Sequence, residues 1–468
     1  MIRTNPLAII PSLALALILS DGWAHADGPE PVTLRFDPDT KYQTFEGWGI
    51  VLPCWLFDGI KGAKTLEQKI AAYERYNNTG HSKALYLAEA AEMVERGFNR
   101  FRLEVGPQVE FINDNDDPHK LNMKAFRFKW QDVMIEEQLL PMKKLLEARG
   151  EKAVLYVSYD LGSGTGQPWQ MDPDEYAEMA IATLTHLKSK YKLEPKYWSV
   201  INEPGNAGRP GNPKLCARLT AVVGKRIHDA GFRTKMSGPE VVTPRLVDRY
   251  MKAMVDTPGA LDHFAQLTYH LYWDPNTIEH RRTIRRWSEK LKVTAAQTEW
   301  MEQRDINVAR HIYLCLTVAN VVAWERYGWN LKRDLKNQTF TRDSTAWYVR
   351  QYSRFIRPGA VRVKMESPDK AIMPVAFLSP KNKPVVVVIN TDCKPRPVNL
   401  TNLPPGKYSV SVVPSRTPEK LQTTTVRRER LLSIDLPGKS VVTITADPPA
   451  PGPRNSYPGA RRRSSVTP

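Results

Sequence analysis

Tyr197-Trp-Ser-Val-Ile-Asn-Glu203-Pro204 is a short apolar run that closes on a carboxylate and a proline. A second run of the same kind is Val293-Thr-Ala-Ala-Gln-Thr-Glu299-Trp300. Each reads as a buried strand whose last polar residue stands at the mouth of a sheet or barrel. Two such carboxyls are what glycoside hydrolysis requires, one to donate a proton and one to attack or to steer water.

Working outward from these runs, strand-like segments alternate with helical periodicity. The expected strands are Phe45–Leu52, Phe98–Val105, Ala153–Tyr159, Tyr197–Asn202, Thr234–Gly238, His263–His270, Val293–Glu299 and Val318–Trp324. Between them, Ala84–Arg96, Val133–Glu147, Pro173–Tyr191, Pro213–Ala230 and Pro244–Val255 carry apolar residues every three or four positions, as helices do. Pro173, Pro213 and Pro244 suit the first turn of a helix, where the missing N–H costs nothing. Eight strands alternating with helices predict an α/β fold, a (β/α)8 TIM barrel over 43–357. A doubly wound sheet is the alternative, but the first strand is followed by Val51-Leu-Pro-Cys-Trp55 rather than a glycine-rich turn. Gly162-Ser-Gly-Thr-Gly166 lacks the Lys and Ser/Thr of a phosphate loop.

From Gly359 the period changes. Val361–Met365, Ile372–Leu378, Pro384–Ile389, Tyr408–Val413 and Ser440–Ala446 are short runs separated by turn residues, predicting an all-β sandwich domain over 358–446. An alternating run at 32–36 has no place in the barrel, so 27–42 is expected to add an N-terminal strand to the sandwich. Residues 447–468 are rich in Pro, Arg and Ser and read as a disordered tail.

The chain has 468 residues, of which 41% are hydrophobic, enough for a barrel and a small second domain. Arg3, the apolar stretch Leu7–Leu19 and Ala24-His25-Ala26 give residues 1–26 the pattern of a cleaved signal peptide. No later stretch is apolar enough to span a bilayer, so a secreted or periplasmic protein is expected. The four cysteines at 54, 216, 315 and 393 contain no CxxC pair. Cys216 and Cys315 fall in helical runs and are expected to be buried thiols.

The net charge is +17. No nucleic-acid motif accompanies it, and the basic residues are dispersed apart from short Arg pairs and Arg461-Arg462-Arg463. An acidic polysaccharide or an anionic envelope surface fits this charge as well as a generally basic exported protein does.

In a (β/α)8 barrel, catalytic groups gather at the C-terminal strand ends. Counting strands puts Glu203 at the end of the fourth and Glu299 at the end of the seventh. Arg102 falls near the end of the second, His270 and Tyr272 at the sixth and Trp324 at the eighth. Glu46, Gly47, Trp48 and Gly49 lie on the first, and all are expected on one face. Arg102, His270 and Tyr272 also fit structural roles. Tryptophans at strand ends or following loops suit sugar rings, whose C–H faces stack on indoles. Trp48, Trp55, Trp169, Trp273, Trp300, Trp324 and Trp329 form this set, with Trp169 and Trp324 foremost, although core packing suits each as well. Asn113-Asp-Asn-Asp-Asp117 lacks the glycine and distal Glu of an EF-hand and reads as a solvated acidic loop.

The ordered set of motifs resembles glycoside hydrolase family 30, one of the retaining barrel glycosidases. The matching segments are Gln43-Thr-Phe-Glu-Gly47-Trp-Gly49, Gly97-Phe-Asn99-Arg-Phe-Arg102-Leu, Asn202-Glu203-Pro204, His270-Leu-Tyr272, Thr298-Glu299 and Phe355-Ile-Arg-Pro358-Gly359-Ala-Val-Arg362. The resemblance implies a barrel carrying a side β-sandwich, with Glu203 as general acid/base and Glu299 as nucleophile. Glu203 is then expected to have a raised pKa, so that it is protonated before attack. Tyr272 and Arg102 are expected to hold Glu299 ionised, and Asn202 to bond a sugar 2-hydroxyl. No metal or other cofactor is implied, and a monomer with a carbohydrate substrate is expected. The substrates implied are xylan or glucuronoxylan, with β-1,6-glucan, galactan or glucosylceramide as alternatives. A non-hydrolytic carbohydrate-binding protein on the same fold is the reading from another class.

Overall fold

The computed structural model describes residues 30–52, 82–106, 109–113, 115–160, 171–206, 209–273, 277–302, 305–415 and 419–447, with a few positions between 65 and 71. The expected signal, the glycine-rich loop 162–166, the C-terminal tail, Cys54, Trp55 and Trp169 lie outside the described residues.

Eight parallel strands close a barrel: Gly47–Val51, Phe98–Val105, Val154–Tyr159, Tyr197–Ser199, Lys235–Val241, Phe264–His270, Thr294–Glu299 and Ala323–Arg326. Closure is made by the eighth strand on the first, with Ala323 opposite Gly47 and Glu325 opposite Gly49. The doubly wound alternative is thereby excluded. Three strand ends differ from expectation. The fifth strand runs on past Gly238 to Val241. The fourth strand stops at Ser199, so Asn202 and Glu203 stand in the turn beyond it. The eighth starts at Ala323, because Val318 caps the preceding helix and Asn320 turns the chain with φ +58°.

Helix signals act as the sequence suggests. Ser82 caps Lys83–Arg96 by accepting from the Leu85 N–H, and Asp172 caps Pro173–Tyr191. Gly97 ends the first of these helices at φ +100°. A Cβ there would lie 2.0 Å from the Ser353 carbonyl oxygen, so glycine is required both by conformation and by the close approach of the helix Ser344–Ser353.

The second domain is a seven-stranded sheet packed on a three-stranded one. Val32–Arg35 lies parallel to Arg396–Thr401 in the small sheet, and Asp37–Thr44 lies on the edge of the large one against Val361–Lys364. Pro384–Asn390 is buried on both faces. Val385, Val387 and Ile389 join the barrel's core, while Val386 and Val388 join the core between the two sheets. A strand covered on both sides reads as a continuous apolar run rather than an alternation. Four of this domain's strands escaped sequence reading: Asp37–Thr44, whose first six residues read as a turn-rich link, Arg396–Thr401, Lys420–Val426 and Leu431–Leu436.

The barrel interior is ionic rather than aliphatic. Arg100, Arg102 and Glu104 alternate inward along the second strand. Arg100 pairs with Glu325, bonds Gln266 at 2.6 Å and reaches Glu46 at 3.2 Å. Gly49 makes room for this layer, since a Cβ there would lie 2.2 Å from Glu325 Cγ. Glu46 also pairs with Lys196 at 2.7 Å, just before the fourth strand. It therefore closes the N-terminal end of the barrel, opposite the face where it was expected. Among the described residues, no helix is long and apolar enough to cross a membrane.

Candidate active site

Glu203 and Glu299 meet over the C-terminal end of the barrel. Asn202 donates its N–H to the Tyr159 carbonyl at 2.7 Å, carrying the chain off the fourth strand. Glu203 follows at φ +49°, a conformation rare for a residue with a side chain, and donates its N–H to the Glu240 carbonyl at 3.1 Å. Glu240 shares that backbone conformation, and Tyr156 and Ser158 hold its carboxylate. Strain of this kind persists where the surroundings enforce it, and here it aims one carboxyl across the barrel mouth.

The two carboxyls have different neighbours. Glu203 Oε1 lies 2.9 Å from His270 Nδ1, and Oε2 accepts from Asn206 Nδ2 at 2.7 Å. Arg209 stands 3.8 Å from Oε2 and is itself held by Asp160. Glu299 accepts from the Tyr272 hydroxyl at 2.9 Å through Oε1 and from Arg102 through Oε2. The same guanidinium bonds Glu104 at 2.7 Å and lies 3.5 Å from Asn202 Oδ1 and 3.4 Å from His270 Nε2. Glu203, Glu299, His270, Arg102, Glu104 and Asn202 are buried, and Tyr272, Asn206, Arg209 and Asp160 are partly buried.

Titration follows from these contacts. Burial disfavours the charged form of Glu203. The hydrogen bond and charge of His270, with Asn206 and Arg209, outweigh it and hold the pKa down to about 2. This corrects the expectation of a raised value. Burial likewise disfavours imidazolium at His270, but Glu299 and Glu203 outweigh it and raise its pKa. Tyr272 is pushed well above the ordinary phenol range by burial and by Glu299, so it remains a donor.

Among the described residues, Glu203, His270 and Glu299 present one ligand atom each within 4.8 Å of one another. Arg102, Arg209 and Tyr272 already occupy these carboxylates, which makes the set a paired-carboxylate centre more than a cation cage.

Arg102, Asn202, His270 and Tyr272 are thus brought together around the two glutamates. The tryptophans are not. Trp48 is buried, donates to the Ile356 carbonyl at 2.7 Å and packs on Trp324. Trp300 is buried beside His311. These three side chains leave their strands on the helix side, so none offers a face to a sugar. Trp273, directly after Tyr272, is the tryptophan exposed in a loop after a barrel strand among the described residues, at 59%. Glu104, Glu240, Asn206, Arg209 and the Arg100–Glu325 pair were missed. Arg100-x-Arg102-x-Glu104 on one strand and Pro239-Glu240 at the end of the fifth were the signals available. Around Asn113–Asp117, Asn115 and Asp117 cap their own turns; Asp114 lies outside the described residues.

Residues 359–444 match the family model described as the glycosyl hydrolase family 30 beta sandwich domain. A search of curated proteins finds no match. Solved structures align with nearly the whole chain. A GH30 endoxylanase from Clostridium papyrosolvens C71 has a TM-score of 0.65 at 16% identity, covering 89% of this chain and 99% of its own. The family 30 subfamily 8 xylanase Xyn30A from Clostridium acetobutylicum has 0.63 at 18%, with the same coverages. The endo-β-1,6-glucanase BT3312 has 0.60 at 15%, covering 90% of this chain and 95% of its own.

Residues 359–444 thus carry a family 30 β-sandwich, and the chain as a whole has the barrel-and-sandwich fold of these structures. Its family 30 sandwich is joined to the barrel through buried polar contacts. Gln351 bonds Ser411 and Thr443, and Arg350 pairs with Glu95 and Glu419. Gln43 bridges the Leu316 carbonyl, at 2.8 Å, and Arg362.

Proposed function

We propose that this protein is an exported, retaining β-glycoside hydrolase in which Glu299 is the nucleophile and Glu203 the general acid/base. The observation that carries the reading is the carboxyl pair. Oxygens of the two glutamates lie within 4.8 Å, in the range of retaining enzymes, where the carboxyls are about 5–5.5 Å apart, and short of the roughly 6.5–9.5 Å that leaves room for a water in inversion.

Glu299, ionised between Arg102 and Tyr272, attacks the anomeric carbon. The leaving oxygen needs a proton, and His270 Nδ1, 2.9 Å from Glu203 Oε1, is placed to pass one to that carboxylate. Transfer across that bond makes neutral glutamic acid and neutral imidazole, so Glu203 and His270 act as one acid with a shared proton. Forming the glycosyl ester removes the charge of Glu299, a principal reason that His270 holds its proton. Water then attacks the ester, with Glu203 as base. Asn202, beside Arg102, is placed to bond a sugar hydroxyl.

Xylan is the first substrate to test, because two of the similar structures are xylanases; β-1,6-glucan follows from the third. The experiment is a panel of polysaccharides and aryl β-glycosides assayed with wild type, Glu203→Gln and Glu299→Gln. Proton NMR of the first product gives its anomeric configuration. Retention by wild type, with loss of turnover in both variants, is expected. A first product of inverted configuration, or full activity in either variant, overturns the assignment. Tight binding of one polysaccharide without release of any product favours the non-hydrolytic reading.

A further inference from the structure

Arg102 serves two carboxylates. On the second strand, Phe98–Val105, residues two apart share a face, so Arg102 and Glu104 both point into the barrel. One guanidinium nitrogen, Nη2, donates to Glu104 Oε1 at 2.7 Å and also to Glu299 Oε2. The other terminal nitrogen lies 3.5 Å from Asn202 Oδ1 and 3.4 Å from His270 Nε2. Arg102, Glu104 and Glu299 are all buried. Water screens their charges little, so each feels the other two strongly.

Attack by Glu299 changes the charge around this arginine. When Glu299 bonds the anomeric carbon, its carboxylate becomes an ester and its charge is lost. A buried cation whose sole anion disappears is left uncompensated, at a high energetic cost. Arg102 keeps Glu104 as a second anion, so discharging Glu299 does not strand the guanidinium. Glu104 also loosens the hold of Arg102 on Glu299 before attack. A cation shared by two carboxylates stabilises each of them less, and a second negative charge nearby destabilises the first. Both effects destabilise ionised Glu299 relative to the ester.

Other groups set the same field. His270 Nδ1 lies 3.9 Å from Glu299 Oε2 and carries Glu203 behind it, and Tyr272 bonds Glu299 Oε1. Tyr156, Glu240 and Glu325 act on Arg102 from the third, fifth and eighth strands. Glu104→Gln alters none of these chemically, so its effect isolates the second anion.

We propose that Glu104 is a positioning residue that acts through Arg102, holding the guanidinium at the nucleophile and keeping it compensated while Glu299 becomes the glycosyl ester. The proposal rests on Glu299 as the nucleophile.

The first test needs no turnover. Protein carrying carbon-13 at the glutamate side-chain carboxyls is titrated by NMR, and the Glu299 signal is the one missing from Glu299→Gln. In Glu104→Gln, Glu299 should titrate about one pH unit lower than in wild type, because Arg102 then serves it alone. Glu104→Asp keeps the charge but draws it back from Arg102, so it should fall between the two, and it carries the test if Glu104→Gln does not fold. The second test is kinetic. In Glu104→Gln, kcat/KM for an aryl β-glycoside, which reports ester formation, should fall about 10- to 100-fold, and its acid limb should move to lower pH. Water should release the trapped fluoroglycosyl ester as fast as in wild type or faster. A merely structural Glu104 would slow both steps alike and leave the acid limb in place. That result overturns the proposal, as does an unmoved Glu299 titration. Failure of the nucleophile assignment looks different: Glu299→Gln stays active, or wild type turns over no aryl glycoside, while the NMR titration still reports on Glu104.

Discussion

Tyr272 donates its hydroxyl to Glu299 Oε1 at 2.9 Å, while Arg102 takes the other oxygen of the same carboxylate. The two donors fix the rotation of the carboxyl and leave no freedom for it to turn from the barrel mouth. They differ in what they supply, because Arg102 carries charge and Tyr272 only a hydrogen bond. Tyr272→Phe keeps the ring and its packing on His270. It should lower kcat by about 10- to 100-fold, the worth of a hydrogen bond to a charged group of about 1.5–3 kcal/mol, with KM little changed. Steady-state kinetics on an aryl β-glycoside decide this. A rise in KM at constant kcat would instead place Tyr272 in substrate binding.

The His270–Glu203 pair should be visible in the pH dependence of stability. His270 has a raised folded pKa, so its contribution is fully present below about 6.5, the unfolded value, and is lost as pH rises through the folded value. Glu203 has the opposite sign: its contribution is present above the unfolded value and is lost as pH falls toward about 2. His270→Gln should therefore lower the melting temperature most near pH 5–6, with the difference shrinking as pH rises into the alkaline range. Differential scanning calorimetry of both proteins from pH 5 to 9 measures it. A difference independent of pH would show that the imidazole is neutral and acts only through packing.

Glu240 has a role that no strand-end rule would have revealed. Its main-chain carbonyl accepts the Glu203 N–H, and its carboxylate is tied to Tyr156 and Ser158. Glu240→Gln keeps the shape and removes the charge. It should lower kcat severalfold through misplacement of Glu203, with wild-type affinity for a bound polysaccharide. The Ser158→Ala variant, which frees one oxygen of Glu240, should reproduce part of the loss. Unchanged kcat in both would remove Glu240 from the positioning of the acid/base.

What could be read from sequence followed from the period of burial. The barrel strands gave apolar runs because both their faces are covered, and Glu203 and Glu299 stood out as the polar residues that end such runs. Strands Arg396–Thr401 and Lys420–Val426 were missed because they lie in solvated parts of the sandwich, where few positions are buried. Leu431–Leu436 alternates strictly and could have been found. The tryptophans misled for a physical reason: a strand end carries alternate residues to opposite sides, and Trp300 next to Glu299 must face the helices if Glu299 faces the mouth. The depressed pKa of Glu203 depends on His270, distant in sequence, and no local pattern encodes that pairing.

The same alternation makes Trp273 the aromatic to remove. It follows Tyr272 with φ +64°, which turns its ring away from the core, and it is 59% exposed in the loop after the sixth strand. Trp273→Ala should raise KM for a polysaccharide about fivefold or more, consistent with roughly 1 kcal/mol or more for a lost aromatic contact. A short aryl glycoside that does not reach beyond the carboxyl pair should be unaffected. Equal effects on long and short substrates would indicate that the loop, rather than the indole, had been disturbed.

Gly97 tests the scaffold independently of chemistry. It combines φ +100° with a neighbouring carbonyl, that of Ser353, where a Cβ would stand at 2.0 Å. Neither the left-handed conformation nor the close approach tolerates a side chain. The contact is to backbone, so relief requires the helix Ser344–Ser353 to move, and with it the Arg350 and Gln351 contacts to the sandwich. Gly97→Ala should therefore destabilise by about 2–4 kcal/mol, the sum of a conformational and an overpacking cost. Gly150 provides the control, because it has φ +72° but open space around its would-be Cβ. Gly150→Ala carries only the conformational part, about 1 kcal/mol. Denaturant melts of the two variants against wild type separate the terms; equal losses would mean that Ser353 yields without cost.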